Sequence, residues 1–336
     1  MTNPLSLATV TALGEAGLTP EYVRELVKRT LAEDLGGAPI GPCRRSRHLA
    51  YLRRRRLLRP WQMPSWRDLL GGSAGIDVTT AATVDATASG NANVVARGAG
   101  VVAGLPLSAA VFEVASSGAL RWHPLVSDGA AVLPEEVLAT VSGPIQPMLS
   151  AERSALNLLC RASGIATHTR SWAAAVAGTS VTILDTRKTT PGLRAVEKYA
   201  VRCGGGQNKR MGLYDVAMIK DNHKLAAGSI SAAYRAVSAA TDLPIQVEVT
   251  SVAEAIEAVE AGAKFLLCDN MSVPLLRKVV AAVGVMAELE ATGGLRLERA
   301  VEYAATGVDY LSVGALTHSS PILDIALDLD MSATRR

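Results

Sequence analysis

Residues 181–223 read VTILDTRKTTPGLRAVEKYAVRCGGGQNKRMGLYDVAMIKDNH, and the fold of the whole chain turns on them. Two short apolar runs, 181–184 and 216–219, each break off into charge. Asp185-Thr186-Arg187-Lys188 follows the first, and Lys220-Asp221-Asn222-His223 follows the second. Aliphatic and β-branched runs of this length, bounded by polar turns, read as buried parallel strands. Between them a triple-glycine turn, Gly204 to Gly206, leads into a second basic cluster, Lys209 and Arg210. Arg187, Lys188, Lys209, Arg210 and Lys220 therefore converge on two strand ends. Guanidinium forks and ammonium point charges match phosphate and carboxylate oxygens, so this convergence suits a multiply anionic ligand. A solvated basic face seldom sits directly after buried strands at a glycine-rich turn.

Downstream the pattern repeats. Further strand-like runs at 244–249, 264–268, 285–290 and 308–313 alternate with helical stretches such as 252–261, 273–283 and 297–305. Alternating βα units imply a parallel sheet with helices outside it. Polar groups recur where these strands end: Glu248, Asp269, Thr292-Gly293-Gly294, and Val313-Gly314-Ala315. Catalytic groups at strand C-termini suggest a barrel, although six clear strands fall short of the eight of a full one. Glycine at a βα turn lets backbone N–H groups approach phosphate oxygens, so Thr292–Gly294 and Val313–Ala315 are expected to cradle a phosphate. Glu248 and Asp269 offer hard oxygens for Mg²⁺ or for ribose hydroxyls. Neither a Ser/His/Asp set nor a reactive cysteine is evident, and Cys203 reads as a packed thiol.

Upstream, Thr19-Pro20-Glu21 opens a helix whose buried stripe is Val23, Leu26, Val27 and Leu31, ending around residues 33–37. Strand material is expected at 84–97, 98–104 and 120–145, with a short helix at 106–114. One long helical region, 148–176, is expected to break near Ser163-Gly164. The expected division is an α+β domain at 1–147, a catalytic barrel at 148–315 and a terminal segment at 316–336.

The chain of 336 residues has length for one large domain or two modest ones, and 49% of it is apolar with only 4% aromatic, which suits an α/β enzyme. Its net charge of +3 is small and does not point to nucleic acid. Four cysteines without ligand spacing argue against a zinc site and a disulfide framework, and fit a reducing cytoplasm. No signal-peptide pattern or long uncharged apolar run occurs, so a soluble cytoplasmic protein with no membrane partner is expected.

The runs DTRKTTPGLR, EKYAVRCGGG, MGLYD and IKDNH also resemble the core of the quinolinate phosphoribosyltransferase family. The resemblance extends from Glu152-Arg153 to about Leu329, and more weakly back to the N-terminus. It implies an incomplete, seven-stranded α/β barrel with an N-terminal α+β sandwich domain, to which the extreme C-terminus returns. The reaction it implies is Mg²⁺-dependent phosphoribosyl transfer from phosphoribosyl pyrophosphate to quinolinate, yielding nicotinate mononucleotide, pyrophosphate and CO₂. In such a site Arg187, Arg210 and Lys220 contact the dicarboxylate, Lys188 helps hold the pyrophosphate-bearing donor, and Glu248 and Asp269 face its ribose and metal. His318 matches a position near the phosphate end. Arg153 matches an arginine that reaches across a homodimer interface into the neighbouring site.

Two departures stand out. The family pattern has histidine where this chain has Lys209, which keeps a cationic donor but loses the imidazole's shape and its titration near neutrality. That change is compatible with the same acceptor or with another carboxylated heterocycle. An atypical insertion at 38–75 contains CRRSRHLAYLRRRRLLR at 43–59. Arg-rich, aromatic-flanked stretches can dock nucleic acid or acidic partners, so a binding role is one rival reading. A Schiff-base aldolase using Lys188 or Lys220 is another, and it requires a lysine in an apolar pocket.

Overall fold

The computed structural model describes residues 5–35 and 77–330. The insertion at 38–75 and the last residues, 331–336, lie outside the described residues, and with them the docking role considered for 43–59.

In chain order the N-terminal elements are α1 (Leu7–Glu15), α2 (Pro20–Leu35), α3 (Val78–Thr83), β1 (Ser89–Ala96), β2 (Gly100–Val101), α4 (Leu105–Ala115), β3 (Arg121–Pro124), β4 (Ala131–Val132) and β5 (Val137–Pro144). The long helix α5 (Ile145–Ala175) follows. The second half runs β6 (Thr182–Leu184), α6 (Arg194–Cys203), β7 (Ala217–Ile219), α7 (Asp221–Ala227), α8 (Ile230–Ala240), β8 (Ile245–Val249), α9 (Val252–Glu260), β9 (Phe265–Asp269), α10 (Val273–Val283) and β10 (Glu288–Thr292). After a short 3₁₀ turn at Leu297–Arg299 come α11 (Ala300–Ala304), β11 (Tyr310–Ser312), α12 (Ala315–His318) and β12 (Ile325–Asp330).

Two sheets result. The first is antiparallel with order β12-β1-β5-β3, so the last described strand pairs with the first. The second is parallel with order β6-β11-β10-β9-β8-β7. Pairing of β6 with β11, the first strand of the set with the last, is how a βα sheet curls on itself, and it leaves the break between β6 and β7. The parallel sheet has six strands, not the seven expected. Next to the free edge of β6 stands a single bridging residue, Gln207, paired with Leu184. Its amide donates to Ile183 O at 2.8 Å, but the glycines before it and the charged loop after it give no run that could extend the ladder.

The stripe on α2 is buried as its spacing predicts. The strand expected at 285–290 begins only at Glu288, because α10 runs to Val283 and leaves Val285 99% exposed at the turn.

The break expected in α5 near Gly164 does not occur: the helix is continuous for 31 residues. Gly164 serves a close approach instead. A Cβ there would lie 2.0 Å from Pro321 O, so only glycine lets the 319–323 segment pack on the helix. Gly204 does the same on the neighbouring face, where a Cβ would meet Ala166 O at 2.4 Å. Leu156, Leu159, Ile165 and Trp172 of α5 are buried in one core cluster containing residues of both sheets. No described helix is long and apolar enough to cross a membrane.

Candidate active site

A cleft of about 760 Å³ opens at the C-terminal ends of the parallel strands. From the loop after β6 come Thr186, Arg187 and Lys188, and from the stretch before β7 come Lys209 and Arg210. Lys220 follows β7, Glu248 projects from β8 and Asp269 ends β9. Across from them, Thr292 ends β10 and is followed by Gly293 and Gly294, while Val313, Gly314, Ala315 and His318 follow β11. Every candidate residue read from the strand ends lines this one cleft. Arg153 does not: it lies exposed on α5, outside the lining.

Buried polar anchors hold the basic loops in place. The fully buried Asp185 carboxylate pairs with the Lys198 ammonium of α6, accepts Asn208 Nδ2 at 2.6 Å and accepts Lys209 N at 2.8 Å. Burial raises the Asp185 carboxyl and lowers the Lys198 ammonium, and each partner's charge works against that burial cost in the other. Arg194 of α6 donates from Nε to Thr189 Oγ1 at 3.0 Å and from Nη1 to Met211 O at 3.0 Å, tying the two basic loops together.

The cations crowd one another. Burial lowers the Arg210 guanidinium from its ordinary value, and the nearby positive charge of Arg187 lowers it further. Buried like charges in one cleft are an electrostatic cost that an anionic ligand offsets. Lys209 is 11% exposed at its side chain and pairs with Glu290, which is fully buried and accepts a second bond from Gln246 Nε2 at 2.6 Å. Burial lowers the Lys209 ammonium, against the raising influence of Glu290. Lys220 Nζ sits 3.4 Å from Glu248 Oε2, and its side chain is 50% exposed. That is the opposite of the dry apolar pocket a Schiff-base lysine needs, and it removes the aldolase reading for Lys220. Burial pushes the Cys203 thiol up to about 11 and the Cys268 thiol up to about 12, so neither supplies a thiolate nucleophile.

One of the three non-glycine residues with positive φ among the described residues lies at the cleft rim. Asn270 adopts φ 52° directly after Asp269 and donates from Nδ2 to Asp269 Oδ2 at 3.0 Å. Gly293 has φ 88°, and a Cβ there would lie 2.4 Å from Asn270 Oδ1. A left-handed Asn270 packed on a glycine that leaves no room for a side chain fits a rim that exposes its backbone. His318 Nε2 would stand 3.2 Å from a Cβ on Gly314, and Lys188 Cδ 3.1 Å, so the histidine and the lysine flank that glycine. His223, the last residue of the KDNH run, caps α7 by accepting Lys220 N at 2.9 Å and also lines the cleft.

Glu290 and Ser312 line the cleft without having been singled out from sequence. A signal existed. Successive strand residues alternate faces, so the residue two before Thr292 and the residue two before Gly314 fall on the same side as those rim positions.

Hard oxygen donors at Glu248 and Asp269, on neighbouring strands, fit Mg²⁺. Among the described residues no three His, Cys, Asp or Glu side chains converge to hold a metal by themselves. The donor set therefore suits an ion that arrives with phosphate oxygens completing its shell.

A curled parallel sheet with a strongly basic, acid-flanked cleft at its strand C-termini defines an α/β enzyme acting on multiply anionic small molecules. Comparison with known proteins narrows this. The C-terminal-domain profile of quinolinate phosphoribosyl transferase matches residues 165–328, and the N-terminal-domain profile matches residues 77–163. A Mycobacterium leprae protein named nicotinate-nucleotide pyrophosphorylase (carboxylating) is 48% identical over 262 residues, covering 76% of this chain and 92% of that one. Quinolinate phosphoribosyltransferase (decarboxylating) 1 of Nicotiana glauca is 40% identical over 275 residues, covering 76% of this chain and 77% of that one. Among solved structures, NadC from Streptococcus pyogenes superposes with a TM-score of 0.78 at 30% identity, covering 93% of this chain and 98% of that one. The chain belongs to the quinolinate phosphoribosyltransferase family.

Proposed function

We propose that this chain transfers the phosphoribosyl group of phosphoribosyl pyrophosphate to quinolinate, with loss of CO₂, giving nicotinate mononucleotide and pyrophosphate for de novo NAD synthesis. The observation that carries this reading is the convergence of Arg187, Lys188, Lys209, Arg210 and Lys220 in one cleft, facing Glu248, Asp269 and two glycine-bearing rim turns.

On this reading the cleft residues divide the labour. Arg187, Lys209, Arg210 and Lys220 take the two acceptor carboxylates, whose charge relieves the repulsion among the cations. Lys188 and His318, flanking Gly314, hold phosphate oxygens of the donor together with the Thr292–Gly294 and Val313–Ala315 turns. Glu248 and Asp269 face the ribose and would hold Mg²⁺, which supplies charge neutralisation for the departing pyrophosphate. As the C1′–oxygen bond breaks, the two carboxylates stabilise the positive charge that develops on the ribose. The pyridine nitrogen forms the new bond to C1′. The resulting pyridinium accepts the electron pair released when the adjacent carboxylate leaves as CO₂, and that ring carbon then takes a proton. No covalent nucleophile is needed, in keeping with inert thiols at Cys203 and Cys268. We also read the curled sheet as an incomplete barrel in which Gln207 marks the seventh strand position.

Release of nicotinate mononucleotide and CO₂ from the two substrates with Mg²⁺ tests the reading, run in parallel on wild type and Lys209→His. Wild-type turnover is the expected result, with Lys209→His active within about tenfold, since either side chain presents a donor there. Silence of the wild type with recovery in Lys209→His would mean a different carboxylated acceptor.

A homodimer completes this reading, with Arg153 entering the partner's cleft and the enzyme working in the cytoplasm. Arg153→Ala and Lys220→Ala chains, each inactive alone, are expected to recover about a quarter of wild-type activity after mixing and reassociation, since half the dimers then carry one intact site. No recovery in a demonstrated mixed dimer would put Arg153 outside the neighbour's site.

A further inference from the structure

Neither Arg161 nor Glu197 lines the cleft, yet three of their five side-chain hydrogen bonds end on backbone groups of segments continuous with the cleft loops. Arg161 projects from the middle of α5. Its Nη1 donates to Ser320 O at 3.0 Å and its Nη2 donates to Thr317 O, at the end of the turn that follows β11. The last carbonyls of a helix have no partner within it, and α12 ends at His318, so the guanidinium supplies donors the turn lacks. The same Nη2 donates to Glu197 Oε1 at 3.0 Å. Glu197, fully buried on α6, accepts Thr190 N at 2.9 Å and Thr190 Oγ1 at 2.8 Å. Thr190 closes the loop that carries Arg187 and Lys188. The circuit is shut by Thr317 Oγ1, which donates to Lys188 O at 2.7 Å.

We propose that Arg161 and Glu197 are positioning residues: one partly buried ion pair fixes the spacing between the loop bearing Arg187 and Lys188 and the turn bearing Gly314 and His318. The loop after β6 has no regular secondary structure from Asp185 to Thr190, so the sheet does not set its position. The pair is neutral overall and changes the cleft's charge little, so its influence is geometric. On the functional reading above, on which this inference rests, Arg187 meets the acceptor from one side of that span, while Lys188 on the same loop must meet Gly314 and His318 across it to hold the donor's phosphate. A donor and an acceptor held out of register by about 1 Å react about 100-fold more slowly.

The test uses Glu197→Gln, Arg161→Lys and Arg161→Met in the full-length chain, with kcat and both KM values measured well below each variant's melting temperature. Expected is a fall in kcat of about 100-fold in Arg161→Met, per folded molecule, with partial rescue in Arg161→Lys, which keeps the charge on Glu197 but cannot reach both carbonyls. The losses in Arg161→Met and Glu197→Gln are expected to be non-additive in the double variant, as for partners in one network. Should Arg161→Met fail to fold, the two milder variants carry the test through the same kcat readout. Variants that fold and turn over like wild type overturn the proposal, as does a loss fully accounted for by the unfolded fraction. A wild type silent with these substrates sinks the functional reading alone. Calorimetric binding of inorganic pyrophosphate then decides the strut: weakened binding in Arg161→Lys supports it, and unchanged binding overturns it.

Discussion

Lys198→Met is expected to lower folding stability by roughly 3–5 kcal/mol, the cost of leaving one member of a buried ion pair unpaired. Lys198 is 1% exposed and Asp185 is 0% exposed, so water cannot replace the lost ammonium. The Asp185 carboxylate would keep only Asn208 Nδ2 and Lys209 N as donors. Activity is expected to fall as well, because the same carboxylate holds the backbone of Lys209 and hence the loop that presents Lys209 and Arg210. A second substitution separates the two effects. In Lys198→Met with Asp185→Asn, the buried charge is gone from both sides, and most of the stability is expected to return, as buried pairs exchanged for neutral groups often cost little. Activity is expected to stay low, since an amide cannot reproduce the charged anchor under Lys209. Chemical denaturation of both variants with kcat/KM in parallel checks this. A single variant as stable as wild type, or a double variant with full activity, would show that the pair does not position the loop.

Strand identity and rim chemistry were legible because both rest on local pattern. An apolar run that stops at a charge marks where a parallel strand leaves the core, and Arg187, Lys220, Glu248 and Asp269 all follow from that rule. Gly164 was misread because a glycine in a helical pattern looks the same whether it ends a helix or admits a neighbouring chain. Only the 2.0 Å approach of Pro321 O decides between them. The expected seventh strand is not among the six of the parallel sheet, and the isolated bridge at Gln207 pairs through where β6 lies rather than through any run of its own. Arg161 and Glu197 gave no signal. Their partners lie 36 to 159 positions away in sequence for Arg161 and 7 and 36 for Glu197, and contacts that leave their own helix set no periodicity to read. Glu290 was within reach. An acid inside the apolar run LEA is costly unless paired, and its face was already set by Thr292 two residues later.

That acid makes the second large effect expected here. Glu290→Gln is isosteric, keeps a hydrogen-bonding group against Gln246, and removes only the charge that faces Lys209. Burial already lowers the Lys209 ammonium, and the neighbouring charges of Arg210 and Lys220 push it the same way, so Glu290 is what opposes them. Without it the lysine loses its proton at a lower pH. The sign follows directly: Lys209 acts on the acceptor as a cation below its pKa, and that contribution disappears as pH rises through it. A lower pKa therefore moves the alkaline fall of kcat/KM for the acceptor toward neutrality. At a pH where the wild-type lysine is still charged, kcat/KM is expected to drop about 10- to 100-fold, the range for losing one charged hydrogen bond. Glu290→Asp keeps the charge and is expected to hold the wild-type pH profile with a smaller loss. The choice of lysine at position 209 depends on this partner, because an imidazole can serve as a neutral donor whereas a buried ammonium needs a counter-charge to remain one. Lys209→His is accordingly expected to tolerate Glu290→Gln better than wild type does, and a pH–rate series on the four combinations measures that difference. An alkaline limb that stays in place in Glu290→Gln would mean that Lys209 keeps its proton through Glu248 or the ligand, and the pairing with Glu290 would carry no weight in acceptor binding.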